Sequence, residues 1–187
     1  MDINQPKILI TGNEIGGQMQ LMVEAFRKKG LSAVAATLDY NDFRDYNNDI
    51  KFILKNRRDK NSRSLFFLWA LTYFDVFHFI YGVSFLSFWR FHRIDLPILK
   101  LLGKKIIVHF RGSDIIDKFS YYDYLNEDDN NRMQNSVKIS RPDQVAKIKD
   151  WLKYADLVLV STPNLLEIVP SAILSPQVID LSYWKTD

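Results

Sequence analysis

Short apolar runs alternate with segments of helical periodicity along most of this chain. The apolar runs, each of strand length, cover residues 7–11, 32–38, 75–80, 105–110 and 157–161. The intervening segments that predict helices cover residues 18–30, 63–73, 95–103 and 140–155. This alternation of strand and helix predicts an α/β protein with a doubly wound, mostly parallel sheet and helices on both faces.

The predicted helices have buried stripes and end signals in their sequences. The expected stripes are Leu21, Met22, Ala25 and Phe26; Ile98, Leu101 and Leu102; and Val145, Ile148, Leu152 and Ala155. Gly30 and Gly103 are expected to end two of the helices, and Asp95 is expected to cap the start of the helix that Gly103 ends. The sequence Ser-Arg-Pro-Asp at 140–143 is typical of a helix start. The resulting fold class is a single Rossmann-like sheet.

Residues 65–91 are apolar enough to raise the possibility of a transmembrane helix. Asp75 and His78 stand near the middle of this segment, and a carboxylate at the centre of a spanning helix costs about 3 kcal/mol. Gly82 weakens a helical interpretation further. We therefore predict a core helix, then a strand, then a loop through Tyr81 and Gly82.

Composition excludes several kinds of site. The chain has no Cys, which excludes disulfides and a thiol nucleophile, and its net charge of +3 is too small to indicate a nucleic-acid partner. The first residues do not resemble a signal peptide, so a cytoplasmic location is expected. No pair of His residues has the spacing of metal ligands, so no metal is expected, and the sequence lacks the Gly-x-Gly-x-x-Gly, P-loop and Gly-x-Ser-x-Gly motifs.

Two charged stretches have more than one interpretation. One is basic and contains Lys51, Lys55, Arg57, Arg58, Lys60 and Arg63 against the single acid Asp59. It is either solvated surface or a footprint for anionic lipid or phosphate, and the lipid alternative predicts a peripheral membrane contact. The other is acidic, within residues 123–129, and is expected to be solvated.

Polar residues follow several of the predicted strands, at the edge of a parallel sheet where ligands gather. The candidate binding residues are Gly16, Gly17, His78, Tyr81, Gly82, Arg111, Gly112, Ser113, Asp114 and Thr162. Two adjacent glycines at a helix start allow backbone N–H groups to approach a phosphate. Arg111 suits a phosphate or carboxylate, and Asp114 suits sugar hydroxyls, although the two side chains could instead pair and brace their loop.

The three histidines receive different predictions. His109 lies within a strand and is expected to be a hydrogen-bonded core residue. His78 also lies within a strand, but nearer a loop, and both a binding role and a core role remain open for it. His92 is expected on the surface. No catalytic residue is assigned.

Several motifs in register carry a likeness to a known family. They are residues 74–82 (FDVFHFIYG), Leu96-Pro97 with 101–105 (LLGKK), 108–114 (VHFRGSD), 154–163 (YADLVLVSTP) and 179–181 (IDL). In this order the motifs resemble the N-terminal half of a GT-B-fold glycosyltransferase of the family 4 type. The resemblance implies a retaining, metal-independent transferase that moves a sugar from a nucleotide-sugar donor to a glycan, lipid or other hydroxyl acceptor.

The resemblance also implies roles for particular residues. It places Gly16 and Gly17 against the donor diphosphate, and it assigns acceptor binding mainly to this N-terminal half. Many relatives carry His-Gly-Ser/Thr-Asp after the strand, where this chain has Arg111 in the first position. A role that the family gives to that His is therefore not carried over to Arg111, although Arg can still contact a phosphate or hydroxyl.

The expected domain organisation follows from the same resemblance. Residues 1–181 are expected to form the acceptor-side domain and residues 182–187 to begin a linker or tail. The donor domain would be supplied in cis or by a separate subunit, and this chain alone is expected to be inactive. The alternative hypothesis is a non-catalytic Rossmann-like domain that binds a phosphorylated or glycan ligand, or a partner protein.

Overall fold

Six parallel strands form the sheet in the part of the chain that the computed structural model describes, residues 5–14, 16–38, 60–86, 93–116 and 142–179. The strands are β1 (Lys7–Gly12), β2 (Ser32–Thr37), β3 (Val76–Ile80), β4 (Lys105–Phe110), β5 (Leu157–Val160) and β6 (Ile173–Leu174). The helices are α1 (Gln18–Lys28), α2 (Lys60–Tyr73), α3 (Asp95–Leu101), α4 (Pro142–Tyr154) and α5 (Leu165–Ile168).

The strand order β2-β1-β3-β4-β5-β6 places β1 between two strands that follow it in sequence. Ile8 of β1 pairs with Ala33 of β2 on one side and with Val76 of β3 on the other. The direction in which the sheet grows therefore reverses at β1. In open parallel sheets, ligands bind at such a switch point, outside the carboxyl ends of the strands. The predicted fold class is confirmed.

Alternate residues of each strand pack on opposite faces of the sheet, and helices cover both faces. The first face presents Leu9, Phe77, Phe79, Val108 and Phe110 to a core that includes side chains of α2, α3 and α4. The second face presents Ile8 and Ile10 to the α1 residues Met19, Met22 and Val23. The two His residues of β3 and β4 follow the same alternation onto the second face.

All three of the predicted stripes are shifted around their helices. In α3 the buried residues are Leu96 and Leu99, whereas Leu101 and Leu102 of the last turn are 87% and 53% exposed. In α4, Ile148 and Trp151 are buried, whereas Val145 and Leu152 are exposed. Trp151 is the largest fully buried side chain, and its contact with Phe79 sets which side of α4 faces the sheet. In α1, similarly, Met19 and Val23 are buried and Ala25 is exposed.

Asp95 does not cap α3 as predicted. It is the first residue of the helix, and its buried carboxylate accepts hydrogen bonds from the Ser84 hydroxyl (3.0 Å) and from the backbone N–H of Leu86 (3.3 Å). Burial raises the pKa of Asp95 to about 6, although the Ser84 hydrogen bond acts in the opposite direction. The side chain therefore ties the loop after β3 to α3.

Arg63, one residue of the basic run, departs from the predicted solvated or lipid-facing surface. Its side chain is buried and donates a hydrogen bond to the carbonyl oxygen of Leu38, just after β2. The basic residues at 51–58, the acidic residues at 123–129, His92 and residues 180–187 lie outside the described residues. Among the described residues, no helix is both long and apolar enough to cross a membrane.

Candidate functional site

The ends of β3 and β4 are joined by side chains that the sequence predicted as binding residues. The hydroxyls of Tyr81 and Ser113 share a hydrogen bond, and the backbone N–H of Tyr81 donates to the carbonyl oxygen of His109 at 3.0 Å. Tyr81 has a left-handed backbone with φ of 66°, which is uncommon for a residue with a side chain. Such conformations persist where surrounding contacts hold them, often at functional sites.

Helix α4 clamps this loop from the side. The Lys147 ammonium donates to the carbonyl oxygens of Tyr81 (3.1 Å) and Asp114 (3.3 Å), and the Trp151 indole donates to the carbonyl oxygen of Gly82 (3.2 Å). Gly82 has a left-handed backbone, and a Cβ there would lie 2.6 Å from Lys147 Cε, so a side chain at this position would displace the Lys147 ammonium from the loop. The sequence interpretation missed Lys147, although it lies one helical turn before Trp151 and therefore on the same side of α4.

Asp114 braces the loop after β4 through the backbone. Its Oδ1 accepts hydrogen bonds from the N–H groups of Arg111 (3.0 Å) and Gly112 (2.8 Å), and its Oδ2 has no partner among the described residues. Burial raises the pKa of Asp114, while Lys147 acts to lower it. Asp114 therefore does brace the loop, as one of the two hypotheses held, but not through a hydrogen bond to the Arg111 guanidinium.

The Arg111 guanidinium lies between the second face of the sheet and α1. Its Nη2 donates to Met22 Sδ at 3.7 Å, whereas its buried Nε and Nη1 have no acceptor in the described part of the chain. Burial lowers the pKa of Arg111, and the nearby carboxylates of Asp114 and Glu14 raise it. An Arg stays charged at neutral pH, so the site holds a cation with unused donors, at a cost of about 1–3 kcal/mol.

The imidazoles of His78 and His109 lie side by side on the same face. Their rings are nearly parallel, with centroids 5.9 Å apart. His109 Nε2 donates to the carbonyl oxygen of Ser175 at 3.0 Å, which confirms the predicted hydrogen-bonded core role, but neither ring nitrogen of His78 has a partner among the described residues. Burial, followed by electrostatic interactions with His109 and Arg111, lowers the pKa of His78 to about 3.

The pKa of His109 is also lowered to about 3, by burial and then by Arg111, although the hydrogen bond to Ser175 acts in the opposite direction. Both imidazoles are therefore neutral at pH 7. Because a carbonyl oxygen can only accept, the neutral His109 carries its proton on Nε2. Of these three side chains, Arg111 carries the positive charge, and the two neutral imidazoles interact with it electrostatically.

The start of α1 differs from what the glycine pair predicted. Gly16 and Gly17 both have left-handed backbones, with φ of 65° and 74°. The two oxygens of the buried Glu14 carboxylate accept from the backbone N–H of Met19, at 3.3 and 3.2 Å. A carboxylate of the chain itself thus lies where a bound phosphate would be expected. Sequence reasoning missed Glu14, whose signal was an acid just before two glycines that open a helix.

Thr162 is another candidate that no contact among the described residues joins to the loops after β3 and β4. Its exposed side chain donates to the carboxamide oxygen of Asn164, in its own loop, at 2.6 Å. The neighbouring Ser161 connects β5 to β4 instead, with its hydroxyl 3.0 Å from the carbonyl oxygen of Phe110. Across the described residues, no three His, Asp or Glu side chains form a group that could hold a metal ion.

Comparison with known proteins adds no family assignment. The sequence matches no protein-family model, and a search of curated proteins gives no match either.

Proposed function

We propose that this chain is the acceptor-side domain of a GT-B glycosyltransferase and that it binds an acceptor carrying an anionic group at the loop after β4. The Arg111 guanidinium carries the proposal. Its Nε and Nη1 are buried without an acceptor among the described residues, and an anionic oxygen would supply what they lack. Because Arg111 as a whole is partly exposed, rotation of its side chain can present these donors to a ligand.

Three features support sugar transfer as the wider function. The motifs of the resemblance occur in the same order over nearly the whole chain, and the parallel sheet is of the kind that forms each half of a GT-B fold. The exposed Ser113 hydroxyl and the Tyr81 hydroxyl adjoin the Arg111 loop. Hydroxyls next to a cation suit a phosphorylated or otherwise acidic sugar acceptor.

Arg111→Met tests the binding site. A sugar 1-phosphate should raise the Tm of the wild type, and the uncharged sugar should raise it less. Arg111→Met should abolish the difference, and the ligand-free unfolding free energy should not fall, because the guanidinium removed has two buried donors without an acceptor among the described residues. Lys149→Met, which removes an exposed cation of α4, is the matched control and should respond like the wild type. An undiminished response in Arg111→Met would refute this site.

Transfer itself is tested by supplying the other half. This chain alone should neither hydrolyse nor transfer from a nucleotide-sugar. Mixed with a separately produced donor domain encoded with it, the chain should transfer labelled sugar to an acceptor, and Arg111→Met should weaken that transfer. If no donor domain restores transfer although the sugar phosphate binds, the transferase proposal fails and the binding site survives.

The second candidate is a non-catalytic domain that binds an anionic ligand, and Glu14 favours it. In the transferase interpretation the glycine pair lies against the donor diphosphate, but the Glu14 carboxylate already accepts from the first turn of α1 and would repel that group. Titration with a nucleoside diphosphate and with a sugar phosphate separates the candidates. Tight binding of the sugar phosphate, together with no transfer in any combination, favours the binding domain.

A further inference from the structure

Five buried nitrogen atoms on the second face of the sheet have no hydrogen-bond partner among the described residues. They are His78 Nδ1 and Nε2, His109 Nδ1, and Arg111 Nε and Nη1. The two His side chains, which we call the imidazole pair, are 2% and 1% exposed. Buried polar atoms in proteins nearly always have a partner, so each exception calls for an explanation. The anion proposed above explains Arg111, but an anion only accepts hydrogen bonds and leaves the imidazole pair partly unexplained.

The hydrogen bond to Ser175 decides what His109 can still offer. Its Nε2 lies 3.0 Å from the carbonyl oxygen of Ser175, so the single proton of the neutral ring is on Nε2. His109 Nδ1 therefore carries a lone pair and needs a donor. The neutral ring of His78 adds one donor and one acceptor, whichever tautomer it has. The imidazole pair thus offers two acceptors and one donor that the described part of the chain does not use.

The imidazole pair and Arg111 follow one another toward the carboxyl edge of the sheet. Strand pairing places His78 opposite Ile107, and His109 comes two residues nearer that edge. The two rings are 5.9 Å apart between centroids. Arg111 comes two residues after His109, and its guanidinium interacts electrostatically with both rings. A ligand whose anionic oxygen accepts from Arg111 would therefore bring its neighbouring atoms toward His109.

The contact that holds Arg111 can be exchanged for a ligand. Its Nη2 donates to Met22 Sδ, a weak acceptor on a flexible side chain, and Arg111 itself is partly exposed. An anionic oxygen is a stronger acceptor than this sulfur. Outward rotation of the Arg111 side chain toward such an oxygen opens the second face beside His109.

The charges around the imidazole pair favour a neutral group beside the anion. The carboxylates of Glu14 and Asp114 lie close enough to interact with Arg111, so they would repel a second negative charge. Arg111 would repel a cationic donor such as an amine. A hydroxyl is neutral, and it can donate to one nitrogen while it accepts from another.

We propose that the imidazole pair binds a hydroxyl of the same ligand whose anionic group Arg111 binds, so that the site selects hydroxylated anions such as sugar phosphates. The hydroxyl donates to His109 Nδ1, and its oxygen accepts from the N–H of His78. This inference rests on the proposed function, because it needs the anion at Arg111. It goes further in making His109 a residue that determines specificity.

Isothermal titration with two sugar phosphates tests the proposal. The probes are glucose 1-phosphate and 2-deoxyglucose 1-phosphate, which lacks the hydroxyl next to the phosphate. At pH 8 the phosphate has lost its own second proton, so only the sugar can supply the donor. The wild type should bind the deoxy compound about tenfold more weakly, because His109 Nδ1 is then left without a donor.

His109→Gln removes this preference without removing the contact to Ser175. Glutamine keeps an N–H donor for the Ser175 carbonyl oxygen but has no nitrogen at the Nδ1 position. The variant should bind the two probes within about twofold of each other, and should bind the deoxy compound as tightly as the wild type does. His78→Leu should reduce the preference as well. Glu24→Ala, an exposed change on α1, is the control and should keep the full preference.

Nitrogen NMR of the wild type labelled in its His side chains tests the contact without any variant. The Nδ1 resonance of His109 should move to lower frequency when glucose 1-phosphate binds, and should stay in place with the deoxy compound. Equal affinity for the two probes, or a preference that is unchanged in His109→Gln, overturns this inference. If Arg111→Met still abolishes binding in that case, the anion site survives. If the wild type binds neither probe, the anion site fails and this inference fails with it.

Discussion

The start of α1 and the end of β4 both place hydrogen-bond donors at the carboxyl edge of the sheet, but the chain satisfies only one of these sets. At α1, the Glu14 carboxylate accepts from the backbone of Met19. At β4, Asp114 accepts from two backbone N–H groups, and the Arg111 Nε and Nη1 are left without an acceptor among the described residues. The glycine pair looks like an anion site in sequence, whereas the unmet donors lie at β4.

This difference indicates at which of the two places an anionic ligand would gain the more binding free energy. A ligand phosphate at α1 would have to displace a carboxylate that is already bonded, and would gain little. The same phosphate at Arg111 would accept from donors that now have no partner among the described residues. Each of these new hydrogen bonds would therefore add to the free energy of binding without displacing an existing one. Unsatisfied buried donors are therefore a better guide to this site than the glycine pattern.

Lowering the pH should change the free energy of unfolding more than any of the substitutions described below. The folded pKa values of His78 and His109 are about 3, below their ordinary value of 6.5, so folding excludes their protons. Their contribution to stability is present above pH 6.5 and is lost as the pH falls toward 3, by about 1.4 kcal/mol per pH unit for each His. Asp95, whose pKa is raised to about 6, opposes part of this loss between pH 6 and 4.

Urea unfolding between pH 7 and 5 measures this loss. His78→Leu should reduce the slope of the unfolding free energy against pH by the contribution of about one proton, which is about 1.4 kcal/mol per pH unit. The reason is that Leu cannot titrate and leaves no unpaired nitrogen. Glu24→Ala, an exposed change on α1, should keep the wild-type slope. Equal slopes in the wild type and His78→Leu would show that the fold does not keep the His78 imidazole of β3 unprotonated.

Removal of the Asp114 carboxylate should be the next largest effect. Asp114→Ala leaves the N–H groups of Arg111 and Gly112 without their acceptor and deprives two neighbouring cations of a counter-charge, so it should cost about 3 kcal/mol of unfolding free energy. Asp114→Asn keeps an acceptor oxygen and should cost clearly less. If both substitutions cost the same, the charge and not the loop bracing would be what matters.

The order and type of the elements could be predicted from sequence because hydrophobic periodicity decides them. Strand β4 was predicted with the observed bounds, and β3 and β5 differ by one residue at one end. The helix faces could not be predicted as well. Which side of α4 is buried depends on where Trp151 meets Phe79, a contact between residues far apart in sequence. Periodicity along one helix carries no information about such a contact.

The candidate site was predicted in part for a similar reason. Polar residues after parallel strands share one edge by topology, which is why Tyr81, Ser113 and Asp114 were identified. Lys147 was missed because it comes from a helix, and its position depends on how α4 packs. The sequence also could not predict that the Glu14 carboxylate occupies the start of α1, because an acid before two glycines can point either toward the helix or toward water.

The smallest expected effect is at α1, and it tests the contrast most directly. Glu14→Ala removes the acceptor for the Met19 N–H and should cost about 1–2 kcal/mol, as the loss of a helix cap does. It should also convert the α1 start into an anion site, so inorganic phosphate should raise the Tm of Glu14→Ala more than that of the wild type. Glu24→Ala, farther along the same helix, should change neither quantity. The contrary result would be that phosphate raises the Tm of Glu14→Ala no more than that of the wild type. In that case the Glu14 carboxylate does not fill an anion-binding site, and the predicted contact of Gly16 and Gly17 with a diphosphate is restored as a hypothesis.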